Sequence, residues 1–412
     1  MKFLLKPLVV SMALVSMPSF SAGTVLSELG SLNASTAGAG SAAISEGAES
    51  AYSNPAAMSL VEKSTLTGSL QAFNLNLEYQ DLGSTGYFGG TDSNLDGGNA
   101  GSTLPLGSVY WVNPLSDKWA FGLAMASQGG SSVDYGDDWR GASLISSVDL
   151  VTVQVNASVS YKINEQWAVG VGLVSEYASL LQTQQFTPNI SSEYEAGSIE
   201  FGVNLGLHYT FNEDNMLGLT IRSGLDHTLE GDFNLDRNGD VDTYDASLGL
   251  IAPAIIKLSG YHALNQEFAL LWSLDWQDWS KNQSSILIFD ETGRQVNVDR
   301  NWQDTYSASI GMHYQVAPKW RLEFGVGYES SPLSDSADNV LNQYPDLPVA
   351  EIFRVGSGVT YQATEDFSVN FFIEYIDLGS PEIEYDGAAN GYLVGQYNND
   401  AGIAGITMNW QF

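Results

Sequence analysis

The sequence predicts an all-β protein, an antiparallel transmembrane β-barrel of about 14 strands, and three observations carry that expectation. Hydrophobicity alternates with period two over long stretches. The connections between those stretches are alternately short and long. Aromatic residues collect at the strand ends, up to a C-terminal Phe.

Alternation is clearest from Ile199, where odd positions read Ile199, Phe201, Val203, Leu205, Leu207, Tyr209 and Phe211. The even positions between them are Glu200, Gly202, Asn204, Gly206, His208 and Thr210. Successive side chains of a strand point to opposite faces, so one face is apolar and the other small or polar. The same pattern recurs over residues 151–161 and 320–329. Soluble sandwiches alternate too, so the connections decide.

Candidate strands fall near residues 63–80, 103–113, 118–128, 149–163, 166–183, 196–212, 215–231, 245–263, 267–279, 302–316, 319–330, 351–363, 366–378 and 401–412. Short turns at residues 113–117, 164–165, 212–214 and 317–318 join alternate pairs, and 12 to 22 residues join most of the others. An even strand number with short periplasmic turns and long outer loops is the pattern of a bacterial outer-membrane barrel. Tyr110, Trp119, Tyr161, Trp167, Tyr209, Trp320 and Tyr361 lie where interfacial girdles belong. The last strand carries Ile406, Met408, Trp410 and Phe412 in alternate positions. That ending resembles the signal read by the outer-membrane barrel assembly machinery, with Trp410 and Phe412 as its candidate residues.

Composition agrees. Of 412 residues, 15 are Lys or Arg and 48 are Asp or Glu, a net charge of −33 that argues against a nucleic-acid partner. Charged residues are only 15% of the chain, and 17 Phe, 20 Tyr and 10 Trp exclude a disordered acidic polymer. No Cys is present, which removes disulfide scaffolds and thiolate chemistry together. The most apolar stretch after the N-terminus, residues 248–258, is broken by Pro253 and Lys257, so no spanning helix is expected.

Three regions follow. Residues 1–21 form a signal peptide, with Lys2 and Lys6, an apolar run over 8–17, and small Ser19 and Ser21 before the cut. Residues 63–412 form the barrel. Residues 22–62 lack strand alternation and hold a small-residue run at 37–43, then Asn54, Pro55, Ala56, Ala57 and Met58. A segment of this kind ahead of a barrel is either a periplasmic tail or a plug.

The small-residue run and the Asn54-Pro55-Ala56 triplet resemble the hatch of the FadL and TodX family, outer-membrane transporters of long-chain fatty acids and other hydrophobic compounds. The resemblance continues through residues 217–223 with His227 and Gly231, Ala252-Pro253 with Asp275-Trp276, residues 301–305 with Gly311 and Tyr314, and Ser330-Ser331-Pro332. It spans the mature chain. Two positions depart from the family pattern, Ala157 after Asn156 and Ala57 after Ala56. The resemblance implies a 14-stranded barrel with an N-terminal hatch in the lumen, anchored at Asn54, Pro55 and Ala56. It also implies ligand capture by outer loops and lateral release through a kink in the third strand. Here that strand runs into Gly129 and Gly130, the candidate opening.

If the apolar face meets lipid, Arg222, Arg321, Arg354, Glu176, Glu200, Glu323, Glu329, Asp226, Asp275, His208 and His313 point inward. Arg222 and Arg354 are candidate carboxylate clamps, because a guanidinium offers two parallel hydrogen bonds. The proposed outer loops hold 22 Asp or Glu against five Lys or Arg, so capture must be hydrophobic. Leu144, Ile145, Leu180, Leu181 and Phe186 are the candidates. No catalytic residue, metal or cofactor is expected. The four His show no ligand spacing, and residues 236–242 read as a solvated acidic loop rather than a calcium loop.

The expected function is passive uptake of long-chain fatty acids or similar hydrophobic molecules by a monomer in the outer membrane of a Gram-negative bacterium, in contact with its lipid and lipopolysaccharide. The competing readings are a general porin and a loop-based surface adhesin or receptor. Neither needs a plug-like segment.

Overall fold

The computed structural model describes residues 27–86, 96–127, 130–333, 344–346, 349–386 and 391–412. The expected signal peptide and Gly129 lie outside the described residues.

The first strands are β1 (Thr65–Asp81), β2 (Thr85–Gly86), β3 (Thr103–Pro114), β4 (Trp119–Ala126), β5 (Gly130–Asp134), β6 (Ser147–Lys162) and β7 (Trp167–Thr187). Then come β8 (Ile190–Asn212), β9 (Asn215–Arg222), β10 (Leu225–Arg237), β11 (Asp240–Ala252), β12 (Ile255–Ala263), β13 (Phe268–Gln277), β14 (Ser284–Phe289) and β15 (Arg294–Asp299). The chain ends with β16 (Thr305–Ala317), β17 (Trp320–Glu329), β18 (Ile352–Thr364), β19 (Phe367–Asp377), β20 (Glu382–Asp386) and β21 (Gly391–Gln411). Several wall strands are interrupted, so β1 with β2, β4 with β5, β9 with β10, β11 with β12, β13 with β14, β15 with β16, and β19 with β20 each make one. The wall is a closed antiparallel barrel of 14 strands. It closes where β1 pairs with β21, from Thr65 opposite Gln411 to Asp81 opposite Gly395. Closure joins the two terminal edges of the sheet, whose orphaned backbone groups in hydrocarbon would each cost several kcal/mol.

The two faces divide as the alternation predicts. Leu173, Phe201 and Ile373 stand outward, 66%, 76% and 63% exposed, while Gln154, Ser158, Asn204 and His208 are buried inside. Ring pairs line the periplasmic rim, with centroids 4.6 Å apart for Trp119 and Tyr161 and 4.4 Å for Trp167 and Tyr209, whereas Tyr110, expected there, is buried inside, donating to the Gly30 carbonyl of the plug.

Four expected outer loops are largely strand instead. Residues 184–195 complete the β7–β8 hairpin and 231–244 complete β10–β11, while β14 and β15 take up most of 280–300, and β20 with the start of β21 most of 379–400. The β10–β11 turn is Asn238-Gly239, with φ of 60° and 89°, the left-handed pair that suits a tight hairpin. Residues 236–242 are therefore a hairpin tip.

The segment from Ser27 onward lies in the lumen as a plug of short helices and 3-10 turns. Inner-wall side chains bond its backbone. Asn204 Nδ2 donates to the Tyr52 carbonyl at 2.8 Å, Ser158 Oγ to Ala51 at 3.0 Å, and Ser273 Oγ to Gly38 at 3.1 Å. Missing side chains matter as much. A Cβ on Gly218 would sit 1.8 Å from the Ala42 carbonyl oxygen, and one on Gly325 would sit 2.1 Å from that of Thr36. Wall glycines thus face the small-residue run of the plug, and both kinds of residue are needed for the close approach.

Candidate ligand cavity and the opening beside it

A cavity of about 200 Å³ lies between the plug and the outer loops. Leu150 and Leu180 from β6 and β7, Leu229 and Phe233 from β10, Leu248 from β11, and Trp279 and Trp302 give it apolar walls. At one end is a buried polar chain. His227 Nε2 lies 3.0 Å from Glu176 Oε1, and His227 Nδ1 lies 2.7 Å from Ser198 Oγ. Gln154 donates to Glu176 at 2.6 Å and accepts from Arg222 at 2.6 Å. Arg222 in turn donates to the Tyr52 carbonyl of the plug at 2.7 Å and lies 4.2 Å from the Tyr52 ring centre. The chain therefore runs from the cavity to the plug. Ser198, His227 and Glu176 bond in the reverse of the hydrolytic arrangement, in which Ser takes Nε2 and the acid takes Nδ1.

At the other end Arg300 donates to both oxygens of Asp346, at 3.0 and 2.6 Å, and through Nε to Ser285 at 2.7 Å.

Beside the cavity the wall is incomplete. β4 pairs with β3 only from Met125 opposite Val109 to Ala120 opposite Pro114, and β5 pairs with β6 alone. β3 continues to Thr103 with its other edge on β1. Among the described residues, 103–108 therefore have no strand partner on the β5 side, until the Asp134 amide reaches the Ala100 carbonyl at 2.8 Å. Pro105 sits in this free edge and has no N–H to leave unpaired. β6, next to the opening, contributes Val148, Leu150 and Thr152 to the cavity.

The residues singled out from sequence distribute as follows. Asn54, with no exposed surface, donates to the Ala42 carbonyl at 2.6 Å and accepts from the Ala56 amide at 3.0 Å, while Pro55 starts the 3-10 turn Pro55–Leu60. Gly130 opens β5, at the break in the third wall strand. Leu180 lines the cavity, and Leu144 and Ile145 share its hydrophobic cluster. Leu181 and Phe186 are half-buried and outside the lining. Neither Arg222 nor Arg354 reaches the cavity. Arg354 is held by Glu329 at 2.7 Å, and Arg222 by Gln154 and the plug. Phe412 is 64% exposed at the periplasmic rim, its amide bonded to Ser64 at 2.9 Å, with Trp410 6.0 Å away ring to ring.

Asp226 is a correction. It is exposed, and its neighbour His227 points inward. Between Arg222 opposite Asn204 and Glu230 opposite Gly197 the pairing slips by one residue, around Ser223 and Gly224. A slip of one reverses every following side chain.

The profile of the outer membrane protein transport protein family (OMPP1/FadL/TodX) matches residues 12–412. The chain belongs to this family. It is 24% identical to the long-chain fatty acid transport protein of Escherichia coli K12, over 91% of this chain and 92% of that one. To outer membrane protein P1 of Haemophilus influenzae it is also 24% identical, over 91% and 90%. Its fold matches the crystal structure of a Pseudomonas aeruginosa FadL homologue with a TM-score of 0.84 at 20% identity, over 96% and 100% of the chains. The Pseudomonas putida toluene transporter TodX gives 0.69 at 16% identity, over 90% and 95%. The family consists of outer-membrane transporters of fatty acids and hydrocarbons, so the protein is an outer-membrane barrel of that kind.

Sequence reasoning passed over Pro105, Arg300 and the pairing of Glu176 with His227. Pro105 had a readable signal, since Pro inside a strand marks a free edge. The others depend on contacts between residues far apart in sequence.

Proposed function

We propose that this chain takes up long-chain fatty acids or similar hydrophobic molecules passively, and that it is not an enzyme. Apolar residues under the outer loops, Leu144, Ile145, Leu180, Leu181 and Phe186 among them, capture the ligand. The cavity holds it above a hatch seated through Asn54, Pro55 and Ala56. Release is lateral, between β3 and β5 at Gly129 and Gly130, into outer-membrane lipid. The observation that carries this reading is an apolar cavity above a filled lumen and beside a wall with an unpaired edge. A filled lumen suits no porin. Lateral release suits an alkyl chain, which gains about 0.8 kcal/mol per CH₂ by staying out of water. The protein works as a monomer among lipid and lipopolysaccharide, and Trp410 and Phe412 present it to the barrel assembly machinery.

Trp279 and Trp302 line the cavity, so a brominated C18 compound bound there quenches their fluorescence. Titration of dibromostearate and its methyl ester should give saturable quenching that diminishes in Trp279→Phe. If neither ligand quenches saturably, the cavity is not the ligand site.

A further inference from the structure

The charged side chains of the cavity are already paired with one another, and this bears on which hydrophobic molecule it takes. The lining contains two groups able to carry positive charge, Arg300 and His227, and two carboxylates, Asp346 and Glu176. Each cationic group is matched to an acid of the same lining, Arg300 to Asp346 at 2.6 Å and His227 to Glu176 at 3.0 Å. Arg300 has Nε, Nη1 and Nη2 all engaged, so no two-pronged face of the guanidinium is turned to a ligand. His227 has both ring nitrogens engaged. The undescribed residues beyond 86 include no Lys or Arg, and the other outer-loop cations, Arg140, Arg237, Lys281 and Arg294, lie outside the lining.

A ligand carboxylate in this cavity would meet two acids and no free cation. Burying an unpaired charge costs several kcal/mol, whereas an ester, alcohol or hydrocarbon brings none. Resting on the reading of this cavity as the ligand site, we infer that it selects uncharged hydrophobic molecules, such as hydrocarbons, long-chain alcohols or esters, over fatty-acid anions. Gln182, another polar side chain of the lining, suits a single hydroxyl or ester group.

The test compares stearate, its methyl ester and stearyl alcohol as dibrominated ligands at pH 8, by tryptophan quenching, with the micelle partition of each measured separately. The purified full-length barrel is used. After correction for partition, the alcohol and ester should bind at least tenfold more tightly than the acid. Asp346→Asn removes the partner of Arg300 and leaves a free guanidinium, so it should move the acid-to-ester ratio of Kd values toward the acid by at least tenfold. Glu176→Gln, which removes the other acid, should move it in the same direction. The inference is overturned if the wild-type barrel binds the acid as tightly as the ester, or if neither variant moves the ratio. Absence of saturable binding by all three ligands would instead overturn the cavity reading on which the inference rests.

Discussion

A single methyl group at Gly206 tests how the hatch is seated. Gly206 lies on the inner face of β8, opposite Gly170 of β7 and Thr220 of β9. An added Cβ would fall 2.1 Å from Asn54 Oδ1 and 2.7 Å from the Ala56 amide nitrogen. Neither neighbour can yield without displacing Asn54, which holds Ala42, Leu207 and Ala56 by hydrogen bonds of 2.6, 3.3 and 3.0 Å. At about 1 kcal/mol for each bond, Gly206→Ala weakens seating by about 3 kcal/mol, or about a hundredfold in the released population. The wall is not harmed, since Ala is a better strand residue than Gly at a paired position. The assay is ion conductance in planar bilayers, with a heat-modifiable gel band to confirm folding. A barrel lacking residues 24–58 sets the fully open limit. Gly206→Ala should conduct in frequent openings toward that limit, whereas wild type stays closed. A folded variant as closed as wild type would refute the seating account.

Replacing both Gly129 and Gly130 by Val favours extended pairing beside β3 and should lower uptake of a labelled C18 compound severalfold, while cavity quenching persists; unchanged uptake would redirect release through the hatch. Removing Phe412 should lower the heat-modifiable folded form at native expression without lowering synthesis, and equal folded yield would deny it a role in assembly. Glu49, buried in the hatch, is pushed up from 4.5 to about 7 because burial disfavours its charge. Its contribution to seating is full below 4.5 and is lost as pH rises through 7, a loss of about 3 kcal/mol at most. Conductance should therefore increase between pH 4.5 and 7, level off above that, and be flatter in Glu49→Gln; a rise toward acid pH would contradict this.

What the sequence disclosed follows from the distance over which each feature is determined. Alternation is local, so all 14 wall strands are legible, as are the face of Asn204 and the outward Phe201. A local break spoils the count, and the slip at Ser223 and Gly224 exchanges Asp226 for His227 on the inner face. The hatch is legible as a strandless run of small residues, but its fit to Gly206, Gly218 and Gly325 requires the closed wall. Arg222 and Arg354 look like free clamps in sequence because their partners lie elsewhere. Tyr52 is 170 residues from Arg222, and Glu329 is on the strand beside Arg354. Arg300 and Asp346 come from different outer loops and meet only above the cavity.

The central claim is that this barrel passes hydrophobic molecules and not polar solutes. Its most direct test is uptake by cells that lack their own outer-membrane fatty-acid transporter and express this chain. Labelled oleate, oleyl alcohol and a small sugar are supplied in parallel. Uptake of the C18 compounds should rise severalfold over cells without the protein, with oleyl alcohol ahead of oleate, while sugar uptake stays at background. A rise in sugar uptake with no gain in either C18 compound would contradict the account.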